Sequence, residues 1–245
     1  MMRLRVLAAF AVLACGLGFW PRAASAATAG QFELKINYWP ANSSWTFNPG
    51  GVSGAWNSQF LGGDFRWTSN SGWGIHLKYD TGPESAWSGY FQTGVGTTSG
   101  QDTIWSGDVF YAWQLSTATL RGFVGYGHIE FSDTDPIFGN VDITATGYRL
   151  GADVTIPISG TGFSFNANAA WYPSNSEAFS DRFVSSSGSG TALDYGASFQ
   201  YTWTSGWLVE AGYRWAHSDT SRLVGTGCPC TLLSSGPVLT VGYHW

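Results

Sequence analysis

Apolar and polar residues alternate with a period of two along most of the chain. In residues 193–203, every odd-numbered residue is apolar and every even-numbered one is glycine or polar. Such alternation predicts a β-strand whose two faces meet different surroundings. The pattern recurs at residues 32–38, 61–67, 73–79, 105–115, 120–126, 148–156, 163–171, 207–215 and 237–245. The sequence therefore predicts an all-β chain of about ten strands.

The connections between these strands alternate between short and long. Short turns are predicted at 68–72, 116–119, 157–162 and 204–206, and long polar loops at 40–57, 81–102, 132–142, 174–191 and 218–235. Short turns on one side and long loops on the other are typical of antiparallel up-and-down transmembrane β-barrels, whose turns are periplasmic and whose loops are extracellular. A soluble β-sandwich is the alternative, but several strands reach about eleven residues, twice its usual strand length.

Aromatic residues are concentrated at the predicted strand ends. One set flanks the short turns or the C-terminus and comprises Trp67, Trp73, Trp113, Trp203, Trp207 and Trp245. A second set lies at the opposite strand ends and comprises Tyr38, Tyr79, Trp105, Tyr126, Trp171 and Trp215. Amphipathic rings favour both membrane interfaces, so the two sets predict two girdles around a membrane-spanning barrel.

The last ten residues, 236–245, alternate in the same way and end in Trp245. This segment resembles the C-terminal targeting strand of bacterial outer-membrane β-barrel proteins, although the usual final residue there is Phe. The resemblance covers the whole mature chain as architecture and specifies no subfamily. It implies a porin-like or small surface barrel that the barrel assembly machinery inserts into a Gram-negative outer membrane.

The N-terminus has the pattern of a cleaved signal peptide. Arg3 and Arg5 precede an apolar run over residues 6–20, and the small residues Ala24 and Ala26 follow it. The run is shorter than the roughly 20 residues of a membrane-spanning helix. We expect residues 1–26 to be removed after export through the inner membrane, and residues 27–245 to form one barrel domain.

Composition narrows the possible partners. The chain is 44% hydrophobic, 17% aromatic and only 11% charged, which suits a membrane environment. Without Arg3, Arg5 and Arg22 of the leader, 8 (11 − 3) Lys and Arg residues face 16 Asp and Glu residues, a formal charge of −8 that argues against nucleic-acid binding. Cys228 and Cys230 could pair, but their spacing and number do not suit zinc, and no cofactor is predicted.

If the apolar parity faces lipid, the other parity faces the lumen and carries most of the charge. With Glu33 and Lys35, it holds six acids and six Lys or Arg residues. The predicted network comprises Asp64, Arg66, His76, Lys78, Asp108, Arg121, Arg149, Asp153, Asp194, Glu210 and Arg214. Two interpretations stay open: a lumen filled by ion pairs, or a charged eyelet for small polar solutes with room beside inward glycines.

Acidic residues in the predicted loops, among them Asp80, Glu84 and Asp102, either keep the loops soluble or bind divalent cations. The segments 133–135 and 217–219 superficially resemble the Asp/Asp and Asp/His pairs of omptin proteases, in which an Asp-His pair activates water. This chain departs from that family in the order of His217 and Asp219 and in loop position. His217, Asp219 and His128 are therefore weak catalytic candidates, to be judged on geometry.

The function expected from these patterns is that of a non-enzymatic outer-membrane barrel. It would act as a narrow passive channel for small polar solutes or as a surface-binding barrel. A rim hydrolase and a barrel that serves surface-polysaccharide export or anchoring are the alternatives.

Overall fold

The computed structural model describes residues 30–47, 52–89, 99–135, 139–180, 185–223 and 230–245. The described segments form ten β-strands. These are β1 Gln31–Phe47, β2 Val52–Thr68, β3 Trp73–Gly89, β4 Ser99–Gln114, β5 Thr119–Asp135, β6 Gly139–Pro157, β7 Phe163–Ser180, β8 Ser185–Thr202, β9 Trp207–Leu223 and β10 Cys230–His244. None of the described residues belongs to a helix long and apolar enough to cross a membrane. The signal-peptide prediction lies outside the described residues.

Each strand pairs with its sequence neighbours in antiparallel fashion, and β1 pairs with β10 to close the barrel. The up-and-down topology and the strand number predicted from the sequence are confirmed. Short turns at 69–72, 115–118, 158–162 and 203–206 lie at one end, together with the C-terminus and the start of β1. We call this the turn end, and the opposite one the far end; in outer-membrane barrels the turn end is periplasmic.

The outward side chains nearest the turn end form an apolar, lipid-facing band. Ile36, Leu61 and Val124 are each at least 60% exposed, which is expected for side chains whose solvent is lipid. Aromatic rings border the band on both sides. At the turn end, Phe32 stacks on Trp245 at 5.7 Å and Trp73 meets Tyr111 edge-on at 5.2 Å.

The strands continue well beyond this band, and here the sequence prediction of long loops was wrong. Most of the residues assigned to loops at 40–57, 81–102, 132–142, 174–191 and 218–235 are strand, and the structure leaves only 48–51, 90–98, 136–138, 181–184 and 224–229 undescribed. We call the extension the collar. It comprises residues 39–47, 52–60, 80–89, 99–104, 127–135, 139–147, 172–180, 185–192, 216–223 and 230–236.

The collar reverses the polarity of the band. Its outward face is polar, as at Gln59, Thr81 and Thr103, whereas its inward face carries large apolar residues together with some buried polar ones such as Ser43 and Asp102. The inward cluster of buried residues comprises Trp39, Ala41, Trp56, Phe60, Ile104, Ile129, Phe131, Ala145 and Ala216. A polar outer face and a buried aromatic interior are typical of a water-soluble β-barrel. The band below the collar has the opposite arrangement, apolar outside and charged inside, which is typical of a membrane barrel.

Prolines mark the boundary between band and collar. In β1 and β10, pairing stops after Tyr38 and Leu239 and resumes at Asn42 and Ser235, so that Pro40 stands opposite Pro237. Proline has no N–H and cannot donate to the ladder, which explains the interruption. Pairing is interrupted at the same height beside Pro83 and Pro173.

Candidate functional site

The charged lumen of the band is the first place where this chain concentrates chemistry. Near the turn end, Arg66 of β2 lies 3.6 Å from Glu33 and 3.8 Å from Asp153 of β6. Arg121 also contacts Asp153, at 2.6 Å. Because β3, β4 and β5 separate β2 from β6 in the wall, the contact between Arg66 and Asp153 crosses the lumen.

Lys35 extends this first level along β1, β9 and β10. Its Nζ lies 3.2 Å from Glu33 and 3.0 Å from Glu210. His76 connects the level to the next one, since its Nε2 lies 2.9 Å from Asp64 and its Nδ1 lies 3.4 Å from Asp108. These groups are removed from bulk water, and their opposite charges offset the cost of that removal.

A second level lies midway along the barrel and is centred on Arg214 of β9. Its guanidinium donates to both oxygens of Asp194, at 3.0 and 2.7 Å, and donates across the lumen to Asp80 of β3 at 2.7 Å. The same guanidinium lies 4.4 Å above the ring of Trp39. Lys78 lies 3.7 Å from Asp80. The planar guanidinium of Arg214 thus links Asp194 of β8 to Asp80 of β3 on the opposite side of the lumen.

Arg149 of β6 fills the other half of this second level. It lies 3.1 Å from Asp108, donates to the hydroxyl of Tyr172 at 3.2 Å and stands over the Phe123 ring at 5.1 Å. Asp108 belongs to β4, so the ion pair passes over β5. Gly125 of β5 makes this possible, because a Cβ there would collide with Asp108.

The third level consists mainly of aromatic rings and lies in the collar. Trp56 of β2 meets Phe131 of β5 edge-on at 5.7 Å, and Trp39 stacks on Phe60 at 4.7 Å. All four rings are buried. Trp56 therefore belongs to the core, whereas the sequence had placed it in a loop.

The structure places Arg66, Arg121, Arg214 and their ion-pair partners on the inward face of the barrel, and three further acids lie there as well. Asp80, Glu84 and Asp102 were assigned to solvated loops, and this assignment was wrong, since they are only 1%, 7% and 0% exposed and face the lumen. The error follows from the collar, whose strands continue where the sequence composition suggests loops. These three acids are consequently not available at the surface to bind cations.

The inward glycines whose surroundings the structure describes are not lined by open space. A Cβ on Gly62 would collide with Asp80, one on Gly100 with Glu84, and one on Gly127 would lie 2.7 Å from the Tyr172 hydroxyl. A large side chain from a neighbouring strand thus occupies the position above each glycine. The sequence predicted room for solutes beside Gly125, Gly127 and Gly151, among other inward glycines. At these three positions the prediction is wrong, because side chains of Asp108, Tyr172 and Phe123 occupy the space where a Cβ would lie.

The catalytic candidates form two separate pairs on the outer face of the collar. His217 Nε2 lies 3.0 Å from Asp219, which also accepts from Thr231 at 2.9 Å. His128 bonds with Thr146 at 2.7 Å and lies 3.4 Å from Glu130.

The two histidines point outward from β9 and β5, between residues that are buried inside the barrel. The structure therefore does not bring His217 and His128 into one cleft. Asp133 and Asp135 lie on the inward parity of β5, and their side chains are outside the described part of the chain. Among residues with described side chains, no group of three or more His, Cys, Asp and Glu residues could hold a metal ion. The possible pairing of Cys228 with Cys230 also lies outside the described residues.

Sequence comparisons identify no relative. No protein-family profile matches the chain, and no curated protein matches it significantly. Solved structures do resemble it. The outer-membrane protease OmpT from Escherichia coli is similar with a TM-score of 0.55 at 10% identity, over 88% of this chain and 96% of OmpT.

Two other resemblances are weaker. The translocator domain of autotransporter NalP from Neisseria meningitidis has a TM-score of 0.48 at 12% identity, over 99% of this chain and 94% of that domain. The attachment invasion locus protein Ail of Yersinia pestis has a TM-score of 0.38 at 17% identity, over 89% of this chain and 100% of Ail. Together with the closed ten-stranded wall and its lipid-facing band, the comparison with OmpT shows that this chain has the fold of an outer-membrane β-barrel protein.

Proposed function

We propose that this protein is a closed, non-enzymatic surface barrel of the outer membrane, in which the band anchors the chain and the collar presents its far end for binding. The observation that carries the proposal is the set of three contacts across the lumen. These join Arg66 to Asp153, Arg214 to Asp80 and Trp56 to Phe131. The last of these lies in the buried aromatic cluster of the collar, whose rings block the passage sterically.

The collar supports the binding role. Each strand continues for about six to ten residues beyond the band, which at a tilt of about 40° raises the far end on the order of 15–25 Å above the lipid. A packed aromatic core makes this extension rigid, and a rigid scaffold suits binding residues carried on loops. A binding partner on the cell surface would therefore meet the far end rather than the band.

Single-channel recording tests the closed state directly. The refolded mature barrel should insert into planar bilayers and show no stable conductance steps, while heat-modifiable gel mobility shows that the barrel has formed. Stable ohmic steps from the folded protein would contradict the proposal. They would favour the narrow channel for polar solutes, with Arg66 and Arg121 as part of its eyelet.

A rim hydrolase is the second candidate. The short contact of His217 with Asp219 and the fold shared with the protease OmpT favour it. We expect the folded protein to cleave a broad panel of peptide and ester substrates no faster than a heat-unfolded sample. Turnover that His217→Ala abolishes and His128→Ala preserves would establish the hydrolase instead.

A further inference from the structure

His76 of β3 lies between two carboxylates that belong to different strands. Its Nε2 lies 2.9 Å from Oδ2 of Asp64 on β2, and its Nδ1 lies 3.4 Å from Oδ2 of Asp108 on β4. The register pairs His76 directly with Asp108, while Asp64 stands two residues before Arg66, the β2 residue opposite His76. One imidazole ring therefore bridges the first and second levels of the lumen.

The two contacts constrain the protonation of the ring. A neutral imidazole has one N–H group and one bare nitrogen, whose lone pair accepts hydrogen bonds. In either neutral form of His76, that lone pair would face the carboxylate of Asp64 or that of Asp108. Only an imidazolium, with a hydrogen on each nitrogen, can donate to both.

Asp64 depends on His76 for its counterion. Within the described part of the chain, His76 is the one side chain that forms an ion pair with Asp64, and Oδ1 of Asp64 is buried without a hydrogen bond. The next cations along this wall, Arg66 and Lys35, lie 3.6 and 3.2 Å from Glu33 instead. A neutral His76 would thus leave a buried carboxylate without a close positive partner, which is strongly unfavourable.

The cations around His76 are already engaged by other acids. Arg66 on β2 contacts Asp153 of β6 at 3.8 Å, and Lys78, two residues along β3, lies 3.7 Å from Asp80. On the β4 side, Arg149 of β6 contacts the other oxygen of Asp108 at 3.1 Å. His76 consequently faces Oδ2 of both Asp64 and Asp108 without competition from a base.

The charge of the lumen supports the same conclusion. The sequence assigns six acids and six Lys or Arg residues to the lumen. The structure adds Asp80 to them, since Arg214 and Lys78 both contact it, so the first two levels hold seven acids and six permanent bases. An imidazolium at position 76 would be the seventh cation and would make the two levels neutral together.

We propose that His76 is held as an imidazolium that clamps the first level of the lumen to the second. Its two N–H groups donate to Asp64 and Asp108, and its charge balances the surplus acid of the two levels. This inference does not depend on the proposed function, since it would hold for a binding barrel, a channel or a hydrolase.

Nitrogen-15 NMR of the refolded mature barrel, labelled at histidine and held in lipid vesicles, tests the protonation directly. The measurement is made at about pH 8, where an ordinary histidine with a pKa of about 6.5 is neutral. His128 and His217 serve as internal references, because each faces only one carboxylate, at 3.4 and 3.0 Å. These two should each show one protonated and one bare ring nitrogen, whereas His76 should show two protonated nitrogens.

Two variants assign the signals. His76→Gln should remove the imidazolium signals, and the matched control His128→Gln should leave them unchanged. A bare ring nitrogen on His76 in the wild type would overturn the proposal, whether His76 were then neutral or the proton resided on Asp64. The wild-type spectrum decides this point even where a variant fails to refold.

Urea unfolding tests the charge balance. His76→Gln leaves seven acids against six bases in the two levels and should unfold at a lower urea concentration than the wild type or His128→Gln. Adding Asp64→Asn to His76→Gln removes the surplus acid, so the double variant should unfold at a higher urea concentration than His76→Gln alone. A double variant that is no more stable than His76→Gln would show that the charge of His76 is not what compensates Asp64.

Discussion

Adjacent residues in β2 show how strictly the two faces of the wall differ. Gly62 faces the lumen, where a Cβ would collide with Asp80 and with the backbone of β3. Gly63 faces lipid, and the nearest atom to its Cβ position, the carbonyl oxygen of Lys35, lies at 3.7 Å. A methyl group is therefore excluded at one position and tolerated at the next.

Gly62→Ala should lower the free energy of unfolding by about 1–3 kcal/mol, the usual cost of overpacking. The displaced Asp80 would also weaken its contact with Arg214 across the lumen. Gly63→Ala should leave stability unchanged or raise it by up to about 1 kcal/mol, because alanine loses less backbone entropy than glycine. Urea unfolding in lipid vesicles, followed by gel mobility, measures both variants, and equal losses at the two positions would contradict this description of the lumen.

At the scale of elements, sequence patterns predicted the strands within the membrane but not their full length. The period-two alternation is recognised by outward apolar residues such as Ile36 and Leu61, and no such residues follow beyond the band. Above the band, the outward positions become polar and the inward ones become Trp39, Phe60 and other large residues. The mixed composition of these segments therefore resembles that of a loop. The continued strand becomes visible only when odd- and even-numbered positions are followed separately.

The turns, by contrast, were predictable because their requirements are local. Gly206 has a φ of +91°, and its carbonyl accepts from the His244 amide at 2.9 Å, which ties the last hairpin turn to the C-terminal strand. Gly160 has a φ of +75°, with no atom within 4 Å of its Cβ position. A side chain at Gly160 would therefore introduce backbone strain alone, whereas one at Gly206 would introduce backbone strain and a steric collision.

Gly160→Ala should cost about 1–3 kcal/mol from backbone strain alone. Gly206→Ala should cost more, because its Cβ would also collide with the carbonyl oxygen of His244 and displace the final strand. Unfolding by urea ranks the two variants. Equal losses would mean that the contact of this turn with β10 contributes nothing to stability.

For the whole molecule, the three contacts across the lumen act in series. An ion that crosses the barrel must pass all three levels in turn. Opening one level would therefore leave the other two closed. The sequence showed that charges line the lumen and could not decide between an eyelet and a plug. That choice depends on whether side chains from distant strands, such as Arg66 and Asp153, meet in three dimensions.

Removing both partners of each cross-lumen contact keeps the net charge of the lumen unchanged, whereas removing one partner alone would add an uncompensated buried charge. One double variant replaces both Arg66 and Asp153 by serine, and another replaces both Asp80 and Arg214 by serine. Each removes one positive and one negative charge. Shortening Trp56 and Phe131 to alanine opens the apolar layer. Each double variant alone should stay silent in planar bilayers, whereas the six substitutions together should give stable conductance steps, with heat-modifiable mobility as the test of folding. Conductance from a single double variant would show that one level alone closes the barrel, and the other two levels would then serve stability rather than closure.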